Sequence, residues 1–230
     1  MLKLARNLRA LCLALTMTSL PGLVAGGANA SRGPAEVVFT TADGGEVHGH
    51  LYGDGGHAVV LAHGMVFDKE SWRPLAERLA AEGLMVLAID FRGYGRSQPG
   101  SEESRLELDV LAAIRYLRQQ GSQRVSVVGA SMGGGAAARA AVLADPGEID
   151  RLVLLAPAGI ADPERMHAGH FTYIVAEGDP SLSRTRDQYE HAPEPRQLKI
   201  LPGDAHAQHI FRTEQADALT AAIRTVLLEP

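Results

Sequence analysis

A chain of 230 residues, 46% hydrophobic and 21% charged, with a formal net charge of −5, has the make-up of a globular domain large enough to bury a core and still shape a cleft. Its acidic balance argues against nucleic acid and anionic membrane surfaces as partners. Beyond the first 30 residues, no run approaches the roughly 18 apolar residues that a membrane span needs.

In chain order, the first unit is residues 1–30. Lys3, Arg6 and Arg9 precede an apolar stretch, Leu11 to Val24, and Ala28-Asn29-Ala30 offers small residues to a peptidase. This succession reads as a secretory signal, which predicts a periplasmic or secreted protein with no stable membrane anchor after processing. Cys12 lacks the small residue expected before a lipidated cysteine, and it is the only cysteine, so no disulfide framework is available. Cleavage after Ala30 would remove three of the 22 cations and none of the 27 acids, moving the net charge from −5 to −8.

Residues 31–230 read as a single domain. Glu36–Thr40 and Glu46–Tyr52 flank the turn Ala42-Asp43-Gly44-Gly45 and predict a hairpin. Compact apolar runs follow at Ala58–Ala62, Met85–Ile89, Val125–Val128, Leu152–Leu155 and Phe171–Val175, with Lys199–Leu201 as a last strand. Near-continuous runs of this kind suit strands buried on both faces of a parallel sheet. Between them, Ser71–Ala81, Leu106–Leu117, Met132–Leu143 and Thr213–Leu228 carry helical spacing. The alternation predicts a mostly parallel sheet with helices on both faces.

Gly129-Ala130-Ser131-Met132-Gly133 is a G-x-S-x-G motif set between a predicted strand and a predicted helix, the context in which such a serine stands exposed on a sharp turn as a nucleophile. The amide of Met132, at the helix start, can donate to a developing oxyanion. His48-x-His50 puts two rings on one face of a strand, read here as a solvated face, with no third ligand for a metal. There is no P-loop, and no G-x-G-x-x-G follows a strand.

Four motifs in order resemble the α/β-hydrolase superfamily over nearly all of residues 35–228: Leu61-Ala62-His63-Gly64-Met65, Asp90-Phe91-Arg92-Gly93-Tyr94-Gly95-Arg96-Ser97, the serine elbow, and Gly203-Asp204-Ala205-His206. The resemblance implies an α/β-hydrolase fold of about eight strands. It makes the Met65 amide the second oxyanion donor and gives His63 the task of bracing that turn. It orders the triad as Ser, acid, His, which points to His206 as base, with His209 as rival, and to Asp179 as acid, with Glu177 as alternative and Asp204 too near His206 along the chain. The Asp90–Ser97 turn reads as scaffold, with Asp90 bonding the loop. Met65, Val66, Phe67, Met132 and the 157–170 loop are expected to line the substrate cleft beside His63 and Gly64. Only residues 156–170 separate two strands where many members insert a lid, so no sizeable lid domain is expected.

The expected chemistry is carboxylesterase-like: a serine hydrolase acting on a small-molecule ester-type substrate through an acyl-enzyme, with no metal or organic cofactor. Alternatives on the same fold are a non-catalytic ligand-binding receptor and a cofactor-free perhydrolase.

Overall fold

The computed structural model describes residues 33–229, so the export signal read at 1–30 lies outside the described residues. Among the described residues, no helix is long and apolar enough to cross a membrane.

Eight strands form one sheet: β1 (Ala35–Thr40), β2 (Glu46–Tyr52), β3 (His57–Ala62), β4 (Met85–Ile89), β5 (Arg124–Ala130), β6 (Arg151–Leu155), β7 (His170–Ala176) and β8 (Arg196–Leu201). Their spatial order is β1-β2-β4-β3-β5-β6-β7-β8. The hairpin β1–β2 and the β2–β4 pair are antiparallel, and all other neighbours are parallel. Five helices cover it: α1 (Arg73–Ala81), α2 (Glu107–Gln119), α3 (Met132–Leu143), α4 (Leu182–His191) and α5 (Ala216–Leu228).

The apolar runs are continuous because each strand feeds two cores. On β3, Val60 and Ala62 pack with Val110, Ile114 and Leu117 of α2 and with the alanines of α3. Val59 and Leu61 point the other way, into a core with Trp72, Leu75 and Leu79 near α1 and Leu219, Ile223 and Val226 of α5. Period-two alternation in a sheet covered on both sides thus leaves no polar face to show in the sequence.

One expectation is corrected. His48 and His50 are buried, because the 3₁₀ turn Lys69–Trp72 packs over β2. The His48 Nε2 lies 3.0 Å from Glu46, and the His50 Nε2 lies 2.7 Å from Glu36 and 3.5 Å from Glu70. No group of three or more His, Cys, Asp or Glu able to hold a metal occurs among the described residues. Asp90 bonds its own loop as expected, through its carbonyl, which takes the Ser97 hydroxyl at 2.8 Å, while its carboxylate accepts from the Lys69 amide and ammonium, each at 2.8 Å. The helix α4 carries no apolar periodicity and was not expected; only Thr185 and Gln188 of it are buried. Residues 156–169, between β6 and β7, hold only the 3₁₀ turn Pro163–Arg165.

Candidate active site

The site residues stand at the carboxyl ends of β3, β5, β7 and β8, where open α/β sheets place their ligands. Ser131 follows β5 directly and begins α3 with φ 49° and ψ −110°, a strained conformation for a residue with a Cβ. The surrounding backbone holds it there. Its amide donates to the Leu155 carbonyl at 2.9 Å, and its own carbonyl accepts from Gly135 at 3.0 Å and Ala158 at 2.8 Å. The flanking glycines are a matter of space. A Cβ at Gly129 would lie 2.5 Å from the Gly133 carbonyl oxygen, and one at Gly133 would lie 2.3 Å from that of Ala62.

His206 lies in the loop after β8, and Asp179 in the loop after β7. The two loops are stitched together by Glu177 N–H to Leu201 O and Gly178 N–H to Gly203 O, both 2.8 Å. The His206 Nδ1 is 2.8 and 3.1 Å from the two Asp179 carboxylate oxygens, and its Nε2 is 2.8 Å from the Ser131 hydroxyl. A carboxylate can only accept, so the proton sits on Nδ1 and Nε2 is left to accept from serine. The Asp179 side chain is wholly buried, whereas that of His206 is 38% exposed to the cleft. Asp179 Oδ1 also takes the Ser181 amide at 2.7 Å and hydroxyl at 2.8 Å, which fixes the carboxylate plane. Sequence reasoning missed Ser181, although Asp179-Pro180-Ser181 carries the signal of an aspartate turn bonding two residues on.

The rivals are placed elsewhere. The His209 ring packs on Phe67 with centroids 4.8 Å apart, and Glu177 and Asp204 are exposed. His63 is fully buried beneath the turn after β3. Its Nδ1 donates to the Gly64 carbonyl at 2.9 Å and its Nε2 accepts from the Phe91 amide at 3.3 Å, which assigns a neutral tautomer. Burial between Phe91 and Tyr94 pushes its pKa down, in agreement.

The turn itself is closed by Phe67 N–H to Gly64 O at 3.0 Å. It runs beside the serine: a Cβ on Gly64 would sit 3.7 Å from that of Ser131. A cavity of about 250 Å³ opens there, lined by Gly64–Phe67, Ser131 and His206–His209. Gly64, Val66 and Phe67 are therefore at the cavity, and His63 is behind it. Met132 and the 157–170 loop are not among its lining residues; the Met132 sulfur receives the Tyr94 hydroxyl at 3.6 Å. Gln208, which does line it, had no signal in the sequence.

The chain is similar to several known proteins. It is 36% identical over 122 residues to a lipase of Mycobacterium tuberculosis, covering 53% of this chain and 45% of that protein. It is 33% identical over 124 residues to the dihydrolipoyllysine-residue acetyltransferase component of the acetoin cleaving system of Cupriavidus necator, covering 54% of this chain and 33% of that one. The chain thus spans less than half the length of these curated relatives. Among solved structures, an esterase from Exiguobacterium antarcticum superposes with a TM-score of 0.71 at 13% identity, covering 85% of this chain and all of that one. An esterase from Pyrococcus furiosus gives 0.70 at 20%, covering 90% and 96%. A model of the alpha/beta hydrolase fold matches residues 57–221, most of the chain, and the protein belongs to that family.

Proposed function

We propose that the protein is a serine hydrolase of ester-type bonds, with Ser131 as nucleophile, His206 as general base and acid, and Asp179 as the carboxylate that orients the imidazole. The observation that carries this reading is the continuous chain from Ser131 Oγ through His206 to Asp179, with 2.8 Å links on both sides of the ring. Serine is a weak nucleophile until a base takes its proton. Ser131 Oγ attacks the acyl carbon as its proton passes to His206 Nε2. The carbonyl electron pair moves onto oxygen, facing the Met65 and Met132 amides. Collapse expels the alcohol, which leaves with the proton from His206. Water, deprotonated by the same ring, then releases the acid and restores the serine.

The cavity, at about 250 Å³, is smaller than the roughly 300–1,000 Å³ of drug-sized pockets. That size favours short acyl groups, and the exposed Met65 and Val66 offer an apolar lip to the rest of the substrate. Export is part of the same proposal: the protein isolated from its host is expected to begin at Ser31. A fluorophosphonate probe tests the nucleophile. Labelling should be stoichiometric, map to Ser131 by peptide mass spectrometry, and vanish in Ser131→Ala. Labelling at another residue, or none in the folded protein, would overturn the assignment.

A further inference from the structure

Gln208 stands two residues beyond His206 and is 3% exposed. Its Oε1 accepts the Gly64 amide at 3.0 Å, and its Nε2 donates to the Ser71 hydroxyl at 2.7 Å. The orientation of the amide is settled by Gly64 N–H, which can only donate. Ser71 is itself tied to Asp68, through its hydroxyl to the Asp68 carbonyl and through its amide to the carboxylate at 3.0 Å. One side chain therefore braces the first residue of the turn whose next amide, that of Met65, faces the reacting carbonyl in the mechanism proposed above.

Between His206 and Gln208 sits Ala207, at φ 48°, a left-handed conformation rare for a residue with a Cβ. The segment closes with His209 N–H donating to the His206 carbonyl at 2.9 Å. This kink sends neighbouring side chains to different targets: His206 reaches Ser131, and Gln208 reaches Gly64. Base and oxyanion turn are thereby held by one short piece of chain. An oxyanion donor acts only when aimed where charge develops, and small displacements of such a group are expensive.

We infer that Gln208 is a positioning residue for catalysis, one that holds the Gly64–Phe67 turn in register with His206 so that the Met65 amide meets the oxyanion. The inference rests on the serine hydrolase reading. Its test uses the full chain and the near-isosteric Gln208→Met, which removes the acceptor without opening a cavity. The readouts are kcat and KM for p-nitrophenyl butyrate, and inhibition by an alkyl trifluoromethyl ketone. Ser131 adds to that ketone reversibly, leaving a charged oxygen where the ester oxyanion would be. All are measured well below each variant's melting temperature.

The expected result is a fall of about 10–100-fold in kcat with a matching loss of ketone affinity, while KM stays within about threefold. A role confined to stability would leave kcat and ketone affinity of the folded protein unchanged, and that result would overturn the inference. So would a fall in kcat with undiminished ketone affinity. Should Gln208→Met fail to fold, Ser71→Ala frees the far end of the Gln208 side chain while keeping its bond to Gly64. It should then lower kcat and ketone affinity together by about 2–10-fold, and wild-type values would overturn the inference. Wild-type protein that turns over no ester, or turnover that survives Ser131→Ala, would overturn the hydrolase reading and the inference with it. Ser131-dependent turnover indifferent to Gln208→Met would overturn the inference alone.

Discussion

Replacing Gly133 by alanine sets two effects of opposite sign against each other. Gly133 lies in the first turn of α3, and helix propensity alone would favour Ala by about 1 kcal/mol. The new Cβ, however, would lie 2.3 Å from the Ala62 carbonyl oxygen and 2.5 Å from that of His63. A carbon and a carbonyl oxygen rest about 3.3 Å or more apart, so something must move by about 1 Å. Both oxygens belong to backbone at the end of β3, which cannot swing aside as a side chain does. Overpacking of this kind costs about 1–3 kcal/mol, so with two backbone oxygens in the way the steric effect should outweigh propensity and leave a net loss of up to about 2 kcal/mol. The strained strand end leads straight into Gly64 and Met65. A shift near 1 Å there should lower kcat by about 100-fold. Gly135→Ala is the matched comparison: its Cβ would meet the Ala158 Cβ at 3.0 Å and an arginine tip at 3.3 Å, contacts that small shifts relieve. Urea unfolding and steady-state ester hydrolysis of both variants would check this. Gly133→Ala with wild-type stability and wild-type kcat would refute the reasoning.

Asp179→Asn should fold, because Ser181 can still bond the side-chain oxygen, yet lose about 10⁴-fold in kcat through the wrong imidazole tautomer; a loss under tenfold by initial-rate assay would contradict the acid's role. The Arg92 guanidinium, with Thr41 and the Glu102 amide, holds the Asp43 carboxyl well below the usual carboxylate range. A depressed carboxylate stabilises fully above the unfolded value near pH 4 and loses that contribution as pH falls through the folded value. Asp43→Asn should therefore cost about 2–3 kcal/mol at pH 7, since Arg92 keeps Asp109, and should flatten the stability profile below about pH 4 in urea titrations. An unchanged acid limb would count against this pair. Burial lowers His63, so the unfolded chain takes up a proton below about pH 6.5 that the folded one refuses, and stability falls as pH drops from there toward the folded value. His63→Asn should reduce that slope between pH 7 and 5; His57 and His170 are lowered too, so the slope should shrink without vanishing.

The sequence is most legible where local rules and the fold agree. The apolar runs of β3, β4 and β6 and the spacing of α1, α2 and α5 are strong patterns because burial dictates them. Ser131 was legible because a tight strand-to-helix turn demands glycines at both flanks, and these leave a local signature. Helix α4 was not, because its two buried residues, Thr185 and Gln188, are polar and leave no apolar stripe to detect. The burial of His48 and His50 depends on the Lys69–Trp72 turn that packs over β2 from later in the chain, a tertiary contact that no stretch of β2 encodes. Gln208 and Ser181 act through bonds whose partners are fixed in space. Gly64 lies 144 residues from Gln208 in sequence, beyond the reach of any local pattern.

The most direct measurement is hydrolysis of p-nitrophenyl esters from acetate to palmitate by the purified protein and by Ser131→Ala. Turnover that peaks at short acyl chains and disappears with Ser131→Ala is the predicted result. Turnover that survives Ser131→Ala, or a folded wild type inert across the whole series, would contradict the account.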